Sequence, residues 1–268
     1  MESDSKILHV DHLDGGVIRL TMDDQNTSNS LSERMMKSLI EELTKASSDD
    51  SVRVIIIASN GPVFSAGHNL REISIARKQN DFGEEYFHLL FETCSELMKL
   101  IVACRRPVIA EVSGVATAAG CQLVASCDLA TASESAQFAT PGVNIGLFCS
   151  TPMVALSRNV NKKHAMEMLL TGDMIGAQKA KEIGLINNYF PEPELSNKTM
   201  LLANKIASKS SMTVAIGKNA FYGQSDLDLS SAYEYASKIM VENIQPIFNL
   251  LGFFILTTYL CSYYSFWF

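Results

Sequence analysis

No run of lysine and arginine occurs in this chain of 268 residues, and acidic residues outnumber basic ones 29 to 22. A nucleic-acid surface needs clustered cations to displace counterions from phosphates, so nucleic acid is not an expected partner. An anionic small molecule held by a few local cations stays open. The cysteines, at 94, 104, 121, 127, 149 and 261, form no C-x-x-C pair and mostly lie in apolar stretches. They read as buried thiols in a reducing compartment, not as a disulfide frame. The opening MESDSKILHV is acidic and runs at once into a strand-like segment, so neither a signal peptide nor an Arg-rich presequence is read there. Internal repeats and low-complexity linkers are missing too. What the chain has is apolar residue, 47% of it, enough to bury one large domain, or one domain with a smaller appendage.

Strands and helices alternate through the first half. GVIRLTM (16–22) is a short apolar strand. Beyond DDQNTSN, Ser30 and Glu33 stand at capping-box spacing, and Leu31, Met35, Leu39 and Leu43 recur every four residues on one helical face. VRVIIIAS (52–59) is a near-continuous β-branched run, suited to a strand covered on both faces. NGPVFSAGHNL (60–70) reads as turn and loop. A long amphipathic helix follows, with Leu90, Cys94, Leu97 and Ile101 on its buried side, and RRP at 105–107 stops it because proline disfavours helix in the residue before it. PVIAEV (107–112) is the next strand, and LATAS and AQFATP, within 129–141, supply two more. Such alternation predicts an α/β fold. Beyond Thr151 the pattern is mainly helical, through TPMVALSRNV, KHAMEMLLTG, AQKAKEIGL, LSNKTMLLANKIASKS and DLSSAYEYASKIMVENI.

The end of the chain is different. From Ile247 to Phe268 there is no charged residue. At 1.5 Å per helical residue this stretch would span about 33 Å, against a hydrocarbon core of about 30 Å, so membrane contact through residues 247–268 is physically possible. Asn249, the paired threonines and the crowded aromatics weigh instead toward a buried segment or an atypical chain end.

Two stretches carry chemistry, FSAGHNL (64–70) and TAAGCQL (117–123). Each follows a strand, contains small residues that let a ligand reach the backbone, and can present an unpaired N–H group. In the second, a helix begins near Ala119, so its first amides point outward at the positive end of the helix dipole. Two such donors converging on one oxygen make an oxyanion hole, and losing one donor typically costs about 2.7–4 kcal/mol of transition-state stabilisation. Small residues at strand-to-helix turns also serve packing alone.

In order along the chain, GPVFSAGHNLREI, RRPVIAEVSGVATAAGCQLVASCDLATAS, AQFATPGVNIGL and MLLTGDMIGAQKAKEIGLIN resemble the enoyl-CoA hydratase/isomerase family, the crotonase fold, from about Lys6 to about Ile244. The resemblance implies a spiral of ββα units over residues 1–190, a helical region of the trimerisation type over 191–245 and a divergent apolar tail at 246–268. It implies a homo-oligomer, a trimer or a dimer of trimers, acting in fatty-acid metabolism. An acyl-CoA thioester would bind with its carbonyl between the backbone amides of His68 and Ala119. Ala66, Asn69, Leu70 and Arg71 would follow the coenzyme A arm, with Arg71 either meeting a phosphate or remaining a solvated cation. No metal and no cofactor is expected beyond the coenzyme A of the substrate. His68 would act through its N–H, its imidazole lining the pocket at most. Relatives of this kind are mitochondrial; without a presequence a cytosolic form is the alternative.

The chain departs from the family at the acids. Hydratases of the family use two glutamates, and the matching positions hold Gln122 and Gly142. An amide orients but does not titrate, glycine brings no side chain, and general acid–base catalysis typically contributes about 10²–10⁴-fold. Hydration by the two-glutamate route is therefore not expected to be efficient, although Gln122→Glu with Gly142→Glu should raise it if the pocket geometry is intact. Asp128 is the nearest other carboxylate, more plausibly a backbone partner at a helix end; Glu84, Glu85 and Glu111 are poorer candidates. Two readings remain: an enzyme that polarises thioesters, or a non-catalytic acyl-CoA-binding regulator on the same fold.

Overall fold

The computed structural model of the protein describes residues 6–250. The chain opens with an antiparallel pair, β1 (Leu8–Leu13) and β2 (Val17–Met22), and enters α1 (Glu33–Ser48). The cap of α1 is Ser32, whose hydroxyl accepts the Met35 N–H at 3.2 Å. The start expected at Ser30 is thus displaced by two residues. Its physical reason is that Leu31 is committed elsewhere, donating its N–H to the carbonyl of Gly67 at 2.7 Å. Leu31 is fully buried, but ahead of the helix and not on it.

Strand β3 (Val54–Ser59) leads to β4 (Val63–Ser65), a short strand inside the segment expected to be only turn and loop. The single long helix expected next is two, α2 (Leu70–Ala76) and α3 (Glu84–Ala103). Between them the Asp81 carboxylate accepts the N–H groups of Gly83 and Glu85, both at 3.0 Å, and so starts α3 afresh. Then come β5 (Val108–Val112), β6 (Val115–Thr117), α4 (Ala119–Ser126), β7 (Leu129–Ser133), β8 (Gln137–Ala139), α5 (Ser150–Asn159), α6 (Lys162–Thr171), β9 (Ile175–Gly176), α7 (Ala177–Glu182), β10 (Asn188–Phe190) and α8 (Glu192–Ala207).

Consecutive strands go to different sheets. One sheet has the order β1-β2-β3-β5-β7-β10, parallel beyond its first pair; the other has the order β4-β6-β8-β9, with β4, β6 and β8 parallel. Each strand pair and its following helix form one turn of a spiral. The β-branched run of β3 is covered on both faces, as its composition predicts. Ile55 and Ile57 join Met35, Leu39, Leu97 and Ile101 in the larger core, while Val54, Ile56 and Ala58 meet α8 through Ala203. Full burial of one such aliphatic side chain is worth about 1.5–3 kcal/mol, so the larger core is what holds α1 and α3 to the sheet.

The described residues divide into two compact units, one through Ser211 and one from Met212. The second holds most of α9 (Ser211–Gln224) and all of α10 (Leu229–Leu250), whose start is capped by the Asp228 carboxylate accepting the N–H groups of Ser230 and Ser231 at 3.0 and 3.1 Å. Among the described residues no helix is long and apolar enough to cross a membrane. Residues 251–268, which carry most of the apolar tail and Cys261, lie outside them. The other cysteines, Cys94, Cys104, Cys121, Cys127 and Cys149, are buried and in no disulfide.

Candidate functional site

Because β4, β6 and β8 run parallel, the segments that follow them leave the small sheet at one end. These are 66–69 after β4, Ala118 after β6, and a 3-10 turn (Pro141–Ile145) after β8. His68, Ala119 and Gly142, which lie far apart in sequence, are brought to that end. The Ala118 N–H donates to the carbonyl of Ala139 at 3.0 Å, tying the second segment to the third.

The first two segments nearly touch at Gly67, which has φ of +87°. A β-carbon there would stand 2.9 Å from the Ala118 β-carbon, 3.0 Å from the Thr117 carbonyl oxygen and 3.1 Å from the Ala119 nitrogen. Only glycine therefore lets the two segments pack this closely beside the Ala119 amide. Ala118 is itself unusual, an alanine at φ 51°, ψ −118°. Non-glycine residues in such regions cost of order 1–3 kcal/mol and persist where the surroundings fix them. Here the conformation sets the direction of the peptide group entering α4. The amide of Ala119, first residue of that helix, and the amide of His68 donate to no acceptor among the described residues.

The first segment is braced by the strand end and by residues ahead of α1. Gly67 N–H donates to Ser65 Oγ at 3.3 Å, and Ala66 N–H to the Ser28 carbonyl at 3.1 Å. The His68 ring sits with Nδ1 3.4 Å from the Leu31 carbonyl and its edge against Phe91, ring centres 5.6 Å apart, while Nε2 is buried without a partner. Burial lowers the imidazole pKa below its usual 6.5, so the ring is neutral at pH 7. Phe91 also lines an open groove of about 660 Å³ along α3, together with Phe82, Phe87, Glu84 and Lys99.

Of the residues placed along the coenzyme A arm by resemblance, Ala66, Leu70 and Arg71 are exposed. Asn69 has a structural duty that the sequence reading missed. It caps α2, its Oδ1 accepting the Arg71 N–H at 3.0 Å, and its Nδ2 donates to Glu72 at 3.3 Å. The Asx-turn spacing of Asn69 just ahead of a helix was the available signal.

Gln122 is 4% exposed, one turn into α4. Its Oε1 accepts the Cys94 thiol at 3.9 Å, and its amide nitrogen donates to no acceptor among the described residues. Burial pushes that thiol up to about 12, so it stays protonated. Gly142 differs from expectation. A β-carbon there would run into the Leu147 carbonyl oxygen and stand 2.8 Å from Cys149 Sγ. The expected restoration by Gly142→Glu is therefore corrected: the place of a side chain is already filled by the main chain and by a thiol.

The remaining carboxylates are accounted for elsewhere. Asp128 Oδ2 accepts the Val108 N–H at 2.7 Å and its own N–H donates to the Val108 carbonyl at 3.0 Å, so it pins the start of β5. Glu111 is buried in β5 and ion-paired with Arg19 of β2. Glu84 and Glu85 are exposed. Among the described residues no three His, Cys, Asp or Glu side chains are grouped to hold a metal ion.

Compared with known proteins, residues 12–246 match the family model described as Enoyl-CoA hydratase/isomerase. The mouse protein named enoyl-CoA hydratase domain-containing protein 3, mitochondrial, is 48% identical over 229 residues, which cover 85% of this chain and 75% of the mouse protein. Among solved structures, human enoyl coenzyme A hydratase domain-containing protein 3 aligns with a TM-score of 0.84 at 46% identity, over 89% of this chain and 92% of that one. An enoyl-CoA hydratase of Mycobacterium smegmatis aligns with a TM-score of 0.86 at 43% identity, over 90% and 92%. The spiral of ββα units followed by helices is the fold these structures share with it.

Proposed function

The chain belongs to the enoyl-CoA hydratase/isomerase family, and from that premise we propose that it binds an acyl-CoA thioester with the carbonyl oxygen between the amides of His68 and Ala119. The observation that carries this reading is the close approach of the two segments at Gly67, beside the Ala119 nitrogen, with the amides of His68 and Ala119 lacking an acceptor among the described residues. Two fixed N–H groups favour an oxygen that gains negative charge, as a thioester oxygen does on enolisation or on addition to the double bond. The groove along α3, beginning at the Phe91 that touches His68, is of a size to take an acyl chain.

In this reading Gln122 holds an oxygen by hydrogen bond and transfers no proton. Hydration by two glutamates is then absent, and any turnover is slow. The alternative, a non-catalytic acyl-CoA-binding regulator, is favoured by the crowding at Gly142, where the second acid of the family has no room. A mitochondrial setting follows the printed names of the relatives, and a homotrimer or dimer of trimers belongs to the same reading.

Calorimetric titration tests it. A short acyl-CoA thioester should bind more tightly than its thioether analogue, which keeps the coenzyme and chain but lacks the carbonyl. Equal affinity would sink the two-amide reading. Loss of crotonyl-CoA in a hydration assay, measured beside the titration, separates enzyme from regulator.

A further inference from the structure

Glu72, in the first turn of α2, has a carboxylate that the helix cap, α3 and α1 all address. Asn69 Nδ2 donates to its Oε1 at 3.3 Å, the Tyr86 hydroxyl of α3 donates to its Oε2 at 3.1 Å, and the Glu33 main-chain N–H, in the first turn of α1, donates to the same Oε2 at 3.3 Å. The Tyr86 phenol is pushed above its ordinary pKa by burial first and by the neighbouring Glu72 charge second. It therefore remains a donor throughout the physiological range.

These bonds close a frame around the segment that carries His68. On one side Leu31 gives its N–H to the Gly67 carbonyl at 2.7 Å and takes His68 Nδ1 at 3.4 Å. On the other, Asn69 is held to Glu72. The two sides meet at Glu33, two residues after Leu31, on Glu72 itself. A shift of Glu72 thus moves both ends of a segment whose middle is the His68 amide.

We propose that Glu72 is a positioning residue that aims the His68 amide at the same point as the Ala119 amide. The inference rests on the two-amide reading above. Its chemistry favours a carboxylate, because an ionised carboxylate only accepts and can serve three donors, whereas an amide turns an NH₂ toward at least one of them.

The test uses the full chain and a chromophoric cinnamoyl-CoA, whose absorption moves to longer wavelength when its thioester carbonyl is polarised. Glu72→Gln should lose most of that red shift while affinity for the probe falls less than about tenfold, the coenzyme contacts being left in place. Tyr86→Phe, which removes one donor and keeps the carboxylate, should lose a smaller part of it and serves where Glu72→Gln fails to fold. A full red shift in a folded Glu72→Gln protein, or in Tyr86→Phe where only that variant folds, overturns the proposal even if the melting temperature has dropped, since the role is then support alone. No red shift in the unmodified protein overturns the two-amide reading on which the proposal depends.

Discussion

Replacing Gly67 by alanine adds one methyl at the point where the two loops meet, and its consequences separate into stability and binding. The backbone sits at φ +87°, where a β-carbon costs roughly 1–2 kcal/mol. The methyl would also lie 2.9 Å from the Ala118 β-carbon, 3.0 Å from the Thr117 oxygen and 3.1 Å from the Ala119 nitrogen. These neighbours are backbone or a β-carbon, with no flexible end to swing aside, and overpacking of this kind costs about 1–3 kcal/mol. The sum, about 2–5 kcal/mol, is a serious but survivable loss, lowering the melting temperature by about 2–4 °C per kcal/mol in a chain of this size. The methyl would also press the His68 segment and the Ala119 amide apart, so that the two N–H groups no longer meet at one point. One donor is then withdrawn, which is worth about 2.7–4 kcal/mol, or about 10²–10³-fold, in any reaction that charges the thioester oxygen. In titrations below the melting temperature, the variant should bind thioester and thioether analogues alike, where the unmodified protein prefers the thioester. A folded Gly67→Ala protein that retains the full preference would refute the placement of the carbonyl between these two loops.

The other substitutions probe the surroundings. Gln122→Glu with Gly142→Glu should hydrate crotonyl-CoA no faster than Gln122→Glu alone and melt lower, by about 1–3 kcal/mol of overpacking against Leu147 and Cys149; a double variant that is much faster contradicts the crowding. His68→Gln should leave the thioester preference nearly intact, because the backbone N–H is what binds. The same variant should flatten part of the pH dependence of stability. Burial lowers the folded imidazole pKa below 6.5, so the unfolded chain takes up the proton first, and stability is present above that value and lost as pH falls from it toward the folded pKa. Urea melts at pH 7 and pH 5 measure the difference, and an unchanged slope in the variant would remove His68 as its source. Asp128→Asn should destabilise the start of β5 with no selective change in thioester binding; a protein of normal stability that has lost all turnover would return Asp128 to the chemistry.

What could be read from the sequence followed from length. The β-branched run of β3 and the four-residue repeat of Met35, Leu39 and Leu43 on α1 are long enough to show their period, and both are buried as that period requires. Strands β4, β6 and β8 have three residues each, too few for alternation to register, yet they place the loops of the site side by side. The two amides were legible as small residues at a strand-to-helix turn, but the conformation of Ala118 was not, since an alanine carries no mark of φ 51°. Likewise the partner of Glu111 lies 92 residues away, and Asn69, expected along the coenzyme A arm, also caps α2. Gly142 announced a missing acid; only the fold tells that Leu147 and Cys149 stand in its space.

The composition of the site decides between the kinds of chemistry open to it. The amides of His68 and Ala119 are donors, and Gln122, whose Oε1 accepts the Cys94 thiol, brings an amide that does not titrate. His68 Nε2 is enclosed, and a ligand reaches it only if the ring moves away from Leu31 and Phe91. Donors without a base stabilise an oxygen that is negative or becoming so, and they leave its proton where it was. On the proposed reading, these positions recognise and polarise a thioester and exchange no proton with it. A carboxylate introduced at Gln122 would change the second property without touching the first.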